Sequence, residues 1–310
     1  MMDPVETIRI HQDSTFALMC EAQARGHEVF VALVADLFVS AGAAWARVQP
    51  ARLQRIQGEH ALLGEAVDMN LDDADVVWMR KDPPFHMGYI FNTYVLDLAE
   101  ARGSLVVNAP AGLRNMNEKA WAMRFADLVP ESLITQDMAR LRAFADRHGK
   151  VVIKPLDGNG GAGVFVVHRD DPNIGVIIET ATSQGITKVL SQVYVPEIKI
   201  GDKRIILVDG TPVGAILRVP QGVDHRGNIH VGARVIRAEI TERDRVICDR
   251  IGPALRDAGQ IFVGIDVIGS FLTEVNVTSP TGIHEINAFE GISVEALVLD
   301  AAEARLASRH

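Results

Sequence analysis

The chain has 310 residues, is 48% hydrophobic and 23% charged, and carries a formal net charge of −9. This balance predicts about two soluble domains with a sizeable core, and the negative charge argues against nucleic acid as a partner. The two cysteines, Cys20 and Cys248, are far apart and fit no metal spacing. The first residues, MMDPVETIRIHQDS, are too polar for a secretory signal, and the most apolar early run stops at Asp36, too short to span a membrane. A cytoplasmic location with reduced thiols is therefore expected, with no membrane partner.

In chain order, Ser14–Arg25 reads as a helix capped by Asp13 or Ser14 and stopped by Gly26. Val29–Val34 reads as a buried strand, and Gly42–Val48 and Arg52–Gln57 as two short strands of a hairpin or meander. Ala74–Met79 is a strand that runs into Arg80-Lys81-Asp82-Pro83-Pro84. Tyr89–Ala101 is a helix, followed by the strand Leu105–Asn108. Strands alternating with helices predict a mostly parallel sheet whose strand ends carry the site. Arg80, Lys81 and Asp82 stand at such an end, held by two prolines, and form a candidate anion site. Asn117–Phe125 reads as a second helix with Lys119 in its first turn. A lysine there opposes the helix dipole, so it is either solvent-exposed or holding an anion.

Leu141–His148 is a helix leading into VVIKPLDGNGGAGVFVVH, Val151–His168. Two β-prone runs there flank Gly158, Gly160, Gly161 and Gly163, and Lys154 ends the first run. Glycines let backbone N–H groups converge on an anion, so a strand, a lysine and a glycine loop make a cover for nucleotide phosphates. The pattern is neither the Walker loop nor the dinucleotide fingerprint, because no helix follows. Val176–Ser183 is helical in pattern, and Val189–Val195 reads as a strand before Pro196. Arg204–Val208 and Pro212–Arg218 form a hairpin around Asp209-Gly210, the strongest turn signal in the chain. Gln221–Gly232 reads as a functional loop, Glu242–Asp257 and Val294–Ala307 as helices, and Ile261–Ile268 with Phe271–Val277 as a hairpin.

Asp266 interrupts the apolar strand IFVGIDVIG, and Glu274 and Asn276 interrupt FLTEVNV. Residues two apart share a strand face, so two carboxylates and an amide oxygen can converge on a hard cation. With two lysines and a glycine loop, this predicts an ATP-dependent enzyme. Such a site could activate a carboxylate as an acyl phosphate for attack by an amine, by positioning and charge neutralisation.

Together MRKDPPF (Met79–Phe85), NEK (Asn117–Lys119), KPLDGNGGAG (Lys154–Gly163), GDKR (Gly201–Arg204), VPQG with HRGN (Val219–Asn228) and FVGIDVIG with LTEVNVTSPTGI (Phe262–Ile283) resemble the bacterial glutathione synthetases of the ATP-grasp superfamily. The resemblance implies an α/β chain with an N-terminal substrate domain, 1–117, and an ATP-grasp domain, 118–310. The latter would divide into a lid part, 118–190, and a metal and ATP part, 191–310. It implies that Lys119 and Lys154 contact ATP phosphates under Gly158, Gly160 and Gly161. Gln192, Tyr194 and Val195 would hold adenine and Asp202 the ribose. Asp266, Glu274 and Asn276 would hold two Mg²⁺, with Mn²⁺ as a substitute. Arg204, Arg218 and Arg226 would bind the acyl phosphate or substrate carboxylates. Arg80, Lys81, Asp82, Arg234, Ser279 and Thr281 would contact the substrates, γ-glutamylcysteine and glycine. A homotetramer or dimer is expected. The open alternatives are a related ligase with another amine acceptor and an ATP-binding scaffold without turnover; the intact metal triad favours a ligase.

Three departures stand out. The chain starts almost at Met2-Asp3-Pro4, where the family has a preceding strand, so a gap in the first sheet is expected. Ala233 and Val235 flank Arg234 where more glycine is usual, and His284 replaces an expected arginine, which predicts weak glycine affinity.

Overall fold

The computed structural model describes residues 1–158, 160–220 and 234–309. Short turns, more than helical crossovers, set the topology. Ala41-Gly42 and Asp209-Gly210 both take positive φ, which suits the two-residue turns of tight hairpins. Such a turn can only join antiparallel strands. The expectation of a mostly parallel sheet is therefore corrected. Among the described strands the one parallel pairing is Val76–Trp78 with Leu105–Val107, joined through the helix Met87–Ala101.

Three larger sheets are antiparallel. In the N-terminal part, Ala43–Leu53 is one continuous strand, paired with Phe30–Val31, Leu37–Ser40, Ala61–Leu63 and Val67–Asn70. The sequence reading has two strands, Gly42–Val48 and Arg52–Gln57, on either side of Pro50, a residue type that usually demotes a strand. Pro50 stays in register opposite Phe30, and its carbonyl accepts from the Gly64 N–H at 2.8 Å. At the place of the expected gap, Met2 bridges to Leu33 and the Met1 carbonyl accepts from the Arg80 N–H at 2.8 Å.

The second sheet runs in the order Phe165–His168, Lys150–Pro155, Val189–Val193, Ser132–Thr135. It packs on the helices Met138–His148 and Ile174–Ala181 through Leu141, Val151, Ile153, Ile178 and Val189. The third runs Arg234–Arg237, Thr211–Val219, Asp202–Val208, Phe262–Ile268, Phe271–Asn276. Its inner face joins the main core with Ile247, Cys248, Ile251 and Leu255 of the helix Glu242–Asp257, all fully buried. That helix has a Thr241/Asp244 capping box, and its bounds match the sequence reading, as do those of Val294–Ala307.

Asn117–Phe125 is not an α-helix; it holds one 3₁₀ turn, Trp121–Arg124. The Asn117 side-chain oxygen accepts from the N–H groups of Lys119 and Ala120, and the Glu118 carbonyl accepts from Val275. These bonds hold the segment against the last strand, so Lys119 is buried at a turn and does not sit in a helix. Helices at Pro110–Asn115 and Ile283–Glu290 were not legible in the sequence.

Candidate active site

A cavity of about 970 Å³ opens between the glycine-loop hairpin, the third sheet and the start of the helix Ser14–Ala24. The register of that sheet explains its chemistry. Asp202 pairs with Arg218, Arg204 with Asp266, and Asp266 with Glu274, so four neighbouring strands lay a row of charges across one face. The rest of these strands is mostly apolar, and the charged row faces the cavity.

Arg204 binds Asp266 through two bonds, Nε to Oδ1 at 2.5 Å and Nη2 to Oδ2 at 2.9 Å. Arg218 reaches Asp266 Oδ1 at 2.9 Å and also pairs with Asp202. Burial opposes ionisation of Asp266, yet the two arginines hold its carboxyl well below the usual carboxylate range. Asp202 behaves in the opposite way: burial, with Asp266 and Glu274 nearby, pushes its carboxyl up to about 6 against the pull of Arg218. Its Oδ1 is buried without a partner.

Across the row, Glu274 faces Lys154 at 3.9 Å and Lys119 at 4.0 Å. Lys119 also contacts Glu118 and donates to the Gly158 carbonyl at 2.7 Å. Asn117 Nδ2 donates to Leu156, so both residues tether the glycine loop. Burial, followed by the Glu274 charge, pushes the Glu118 carboxyl up to about 7.

Asp266, Glu274 and Asn276 converge as read from the sequence. Asn276 spends its Nδ2 on Asp266 Oδ2 at 3.2 Å, which leaves its amide oxygen for a cation. Among the described residues no three His, Cys, Asp or Glu side chains form a ready-made metal cage. Two carboxylates and an amide oxygen suit Mg²⁺, which takes few protein ligands and completes its shell with phosphate and water.

Gly158, Gly160, Gly161, Gln192, Tyr194 and Val195 line the same cavity, as do Arg80, Asp82, Ser279 and Thr281. Lys81 does not: it pairs with Asp3 at 2.7 Å. Arg234 is exposed at the edge of the sheet, away from the lining. Arg226, Ala233 and the Gln221–Gly232 loop lie outside the described residues. His284 is also off the lining, because its ring bonds the Asp13 carbonyl at 3.0 Å and so serves packing. The sequence reading missed Glu118, Arg9, Asp13, Ser14 and Thr15, which line the cavity. The Asp13-Ser14 cap was visible, but nothing in the sequence says what a helix start faces.

Two family models match the chain, the prokaryotic glutathione synthetase N-terminal domain over residues 1–114 and the prokaryotic glutathione synthetase ATP-grasp domain over 118–291. Glutathione synthetase of Salmonella typhimurium is 47% identical over 308 residues, covering 99% of this chain and 98% of that one. That of Mesorhizobium japonicum is 46% identical over 304 residues, covering 98% and 97%. Among solved structures, a RimK domain ATP-grasp protein from Sphaerobacter thermophilus superposes with a TM-score of 0.62 at 18% identity, covering 96% of this chain and 97% of that one. The ATP-grasp ligase PsnB, bound to a minimal precursor, Mg and ADP, gives 0.60 at 18% identity, covering 97% and 96%. These two likenesses establish the ATP-grasp fold. With the family models and the near full-length identity, the chain belongs to the prokaryotic glutathione synthetase family of ATP-dependent carboxylate–amine ligases.

Proposed function

We propose that the chain joins γ-glutamylcysteine to glycine through an acyl phosphate. One observation carries this reading: the glycine loop with Lys154 and the row from Arg218 to Glu274 line a single cavity. The cysteinyl carboxylate attacks the γ-phosphorus of ATP, ADP departs, and the acyl phosphate forms. The glycine amine then attacks the acyl carbon and inorganic phosphate leaves. Lys119 and Lys154 hold the phosphates, and Gly160 and Gly161, both at positive φ, turn backbone N–H groups toward them. Gln192, Tyr194 and Val195 hold adenine, and the free Asp202 Oδ1 accepts from the ribose. Arg204, Arg218 and Arg226 stabilise the transferring phosphoryl group and the substrate carboxylate. Asp266, Glu274 and Asn276 would hold two Mg²⁺, or Mn²⁺, whose contribution is to neutralise the phosphate charge.

We further propose the division into 1–117 and 118–310, in line with the gap between the two family models. The glycine loop is read as a lid that closes over the phosphates. Met87, Phe91 and Tyr94 lie on one helix face and are all more than half exposed, which supports a homo-oligomer, dimer or tetramer. No helix among the described residues is long and apolar enough to cross a membrane, and cytoplasmic residence, with no nucleic-acid or membrane partner, is proposed alongside.

The test is ADP release with γ-glutamylcysteine and ATP, offering glycine, alanine, serine or β-alanine in parallel. Glycine should give the highest kcat/KM. Another amine clearly ahead of glycine would make the chain a ligase with a different acceptor, and no turnover with any amine would leave the scaffold reading.

A further inference from the structure

Ser132 lies on the edge strand Ser132–Thr135 of the second sheet and is off the cavity lining. The register nevertheless sets it beside a residue of that lining. Val166 pairs with Val152, Val152 with Gln192, and Gln192 with Ser132, a row across four strands. Cross-strand partners share a sheet face, and the first three of this row line the cavity. Val152 and Val166, with Ile198 and Ile268, give the cavity apolar walls that suit a flat aromatic ring. Gln192, only 3% exposed, brings an amide into these walls.

The direction of that amide follows from counting protons. A carbonyl can only accept, so the Ser132 hydroxyl spends its proton on Pro130 at 2.7 Å. What remains on Ser132 is an acceptor, and Gln192 meets it with Nε2, which donates at 3.0 Å. Reversing the amide would set two oxygens against each other with no proton between them. The Gln192 Oε1 is therefore turned the other way. Among the described residues nothing donates to this oxygen, and it is not one of the buried atoms left without a partner, so it opens on the cavity.

A fixed acceptor in a base-sized slot reads a donor on the ligand. Adenine offers its exocyclic amine. Hypoxanthine, the base of ITP, carries a keto oxygen at the same position. Building on the reading that Gln192, Tyr194 and Val195 hold the base, we propose that Ser132 is the positioning residue for base choice: it locks the Gln192 amide oxygen toward the cavity, so that a purine with an exocyclic amine is taken and a 6-keto purine is refused. The test measures kcat/KM for ATP and for ITP, with γ-glutamylcysteine and glycine saturating, in wild type, Ser132→Ala, Ser132→Val and Ser132→Thr. Valine and threonine have nearly the same shape, but only threonine keeps the hydroxyl. Wild type should favour ATP by about tenfold or more. Without the hydroxyl, the Gln192 amide can rotate and offer Nε2 to the keto oxygen. The ATP-to-ITP ratio should then fall by about fivefold or more in Ser132→Ala and Ser132→Val, through the KM for ITP, and stay near wild type in Ser132→Thr. A merely structural role would lower stability, or turnover with both nucleotides, and leave the ratio alone. Wild-type ratios in Ser132→Ala and Ser132→Val would overturn the proposal, as would a wild type that uses the two nucleotides equally; both leave the ligase reading standing. Wild-type enzyme that turns over neither nucleotide would refute the ligase reading and the proposal with it.

Discussion

Arg218 joins two carboxylates, so its loss should be felt unequally by them. In Arg218→Met, Asp266 keeps both bonds from Arg204. Asp202 keeps no side-chain hydrogen bond and only the more distant charge of Arg204: its Oδ1 has no partner already, its Oδ2 loses Arg218, and its side chain is only 14% exposed. Breaking a buried pair from one side costs about 3–5 kcal/mol, because the remaining charge is left without compensation. Asp202→Asn removes that charge, so the double variant should recover at least about 2 kcal/mol relative to the sum of the single losses. The sign with pH follows from the Asp202 carboxyl, which burial lifts from 3.8 to about 6. The folded state binds this proton more tightly than the unfolded chain, so the contribution to stability is largest at low pH and is lost as pH rises through about 6. Removing Arg218 takes away the strongest influence holding that value down. The Arg218→Met penalty should therefore be large at about pH 8 and much smaller at about pH 5.5. Urea denaturation of the four proteins at both pH values measures it. Additive losses, or a penalty independent of pH, would refute the argument.

Lys119→Met removes the tether to the Gly158 carbonyl, so without nucleotide the glycine loop should be cut faster in limited proteolysis; an unchanged cleavage rate would count against the tether. The Cys248 thiol is fully buried, and burial, with Asp244 and Asp249 adding, pushes it up to about 12. Native protein should leave it unalkylated by iodoacetamide while the denatured chain reacts, as read by mass spectrometry. Mg²⁺ alone should raise the thermal midpoint little, because Asp266 is already neutralised by Arg204 and Arg218, whereas Mg²⁺ with ADP should raise it by several degrees. Equal shifts would mean that the acidic row holds the cation without phosphate.

Much of the fold was legible where local chemistry decides it. The amphipathic spacing that includes Ile247, Ile251 and Leu255 made the helix Glu242–Asp257 legible, and the Thr241 capping box fixes its start in the structure. Asp209-Gly210 gave its hairpin because both residues take positive φ, which few sequences accept at low cost. The sheet direction was misread for a non-local reason. Strand pairing depends on which distant runs meet, and helices between strands did not serve as crossovers except at Met87–Ala101. Asn117–Phe125 failed for a related reason: its apolar spacing is helical, but Asn117 and the partner strand at Val275 bind its backbone first.

The site shows the same division at finer scale. Period-two spacing correctly placed Glu274 and Asn276 on one face, and register brought Asp266 opposite Glu274. What spacing does not reveal is competition for the same oxygens. Asp266 was read as a metal ligand, and it is also the acceptor for both Arg204 and Arg218. A carboxylate held by two guanidinium groups in a buried row has a stable charge of its own, so a cation arriving there must bring additional negative charge to bind well. ATP brings that charge in its phosphates, and Lys119 and Lys154 stand beside Glu274 to receive them. Metal and nucleotide are thus expected to bind as one unit: the arginines that orient Asp266 weaken it as an isolated metal site, and the phosphate oxygens supply the ligands that the protein does not.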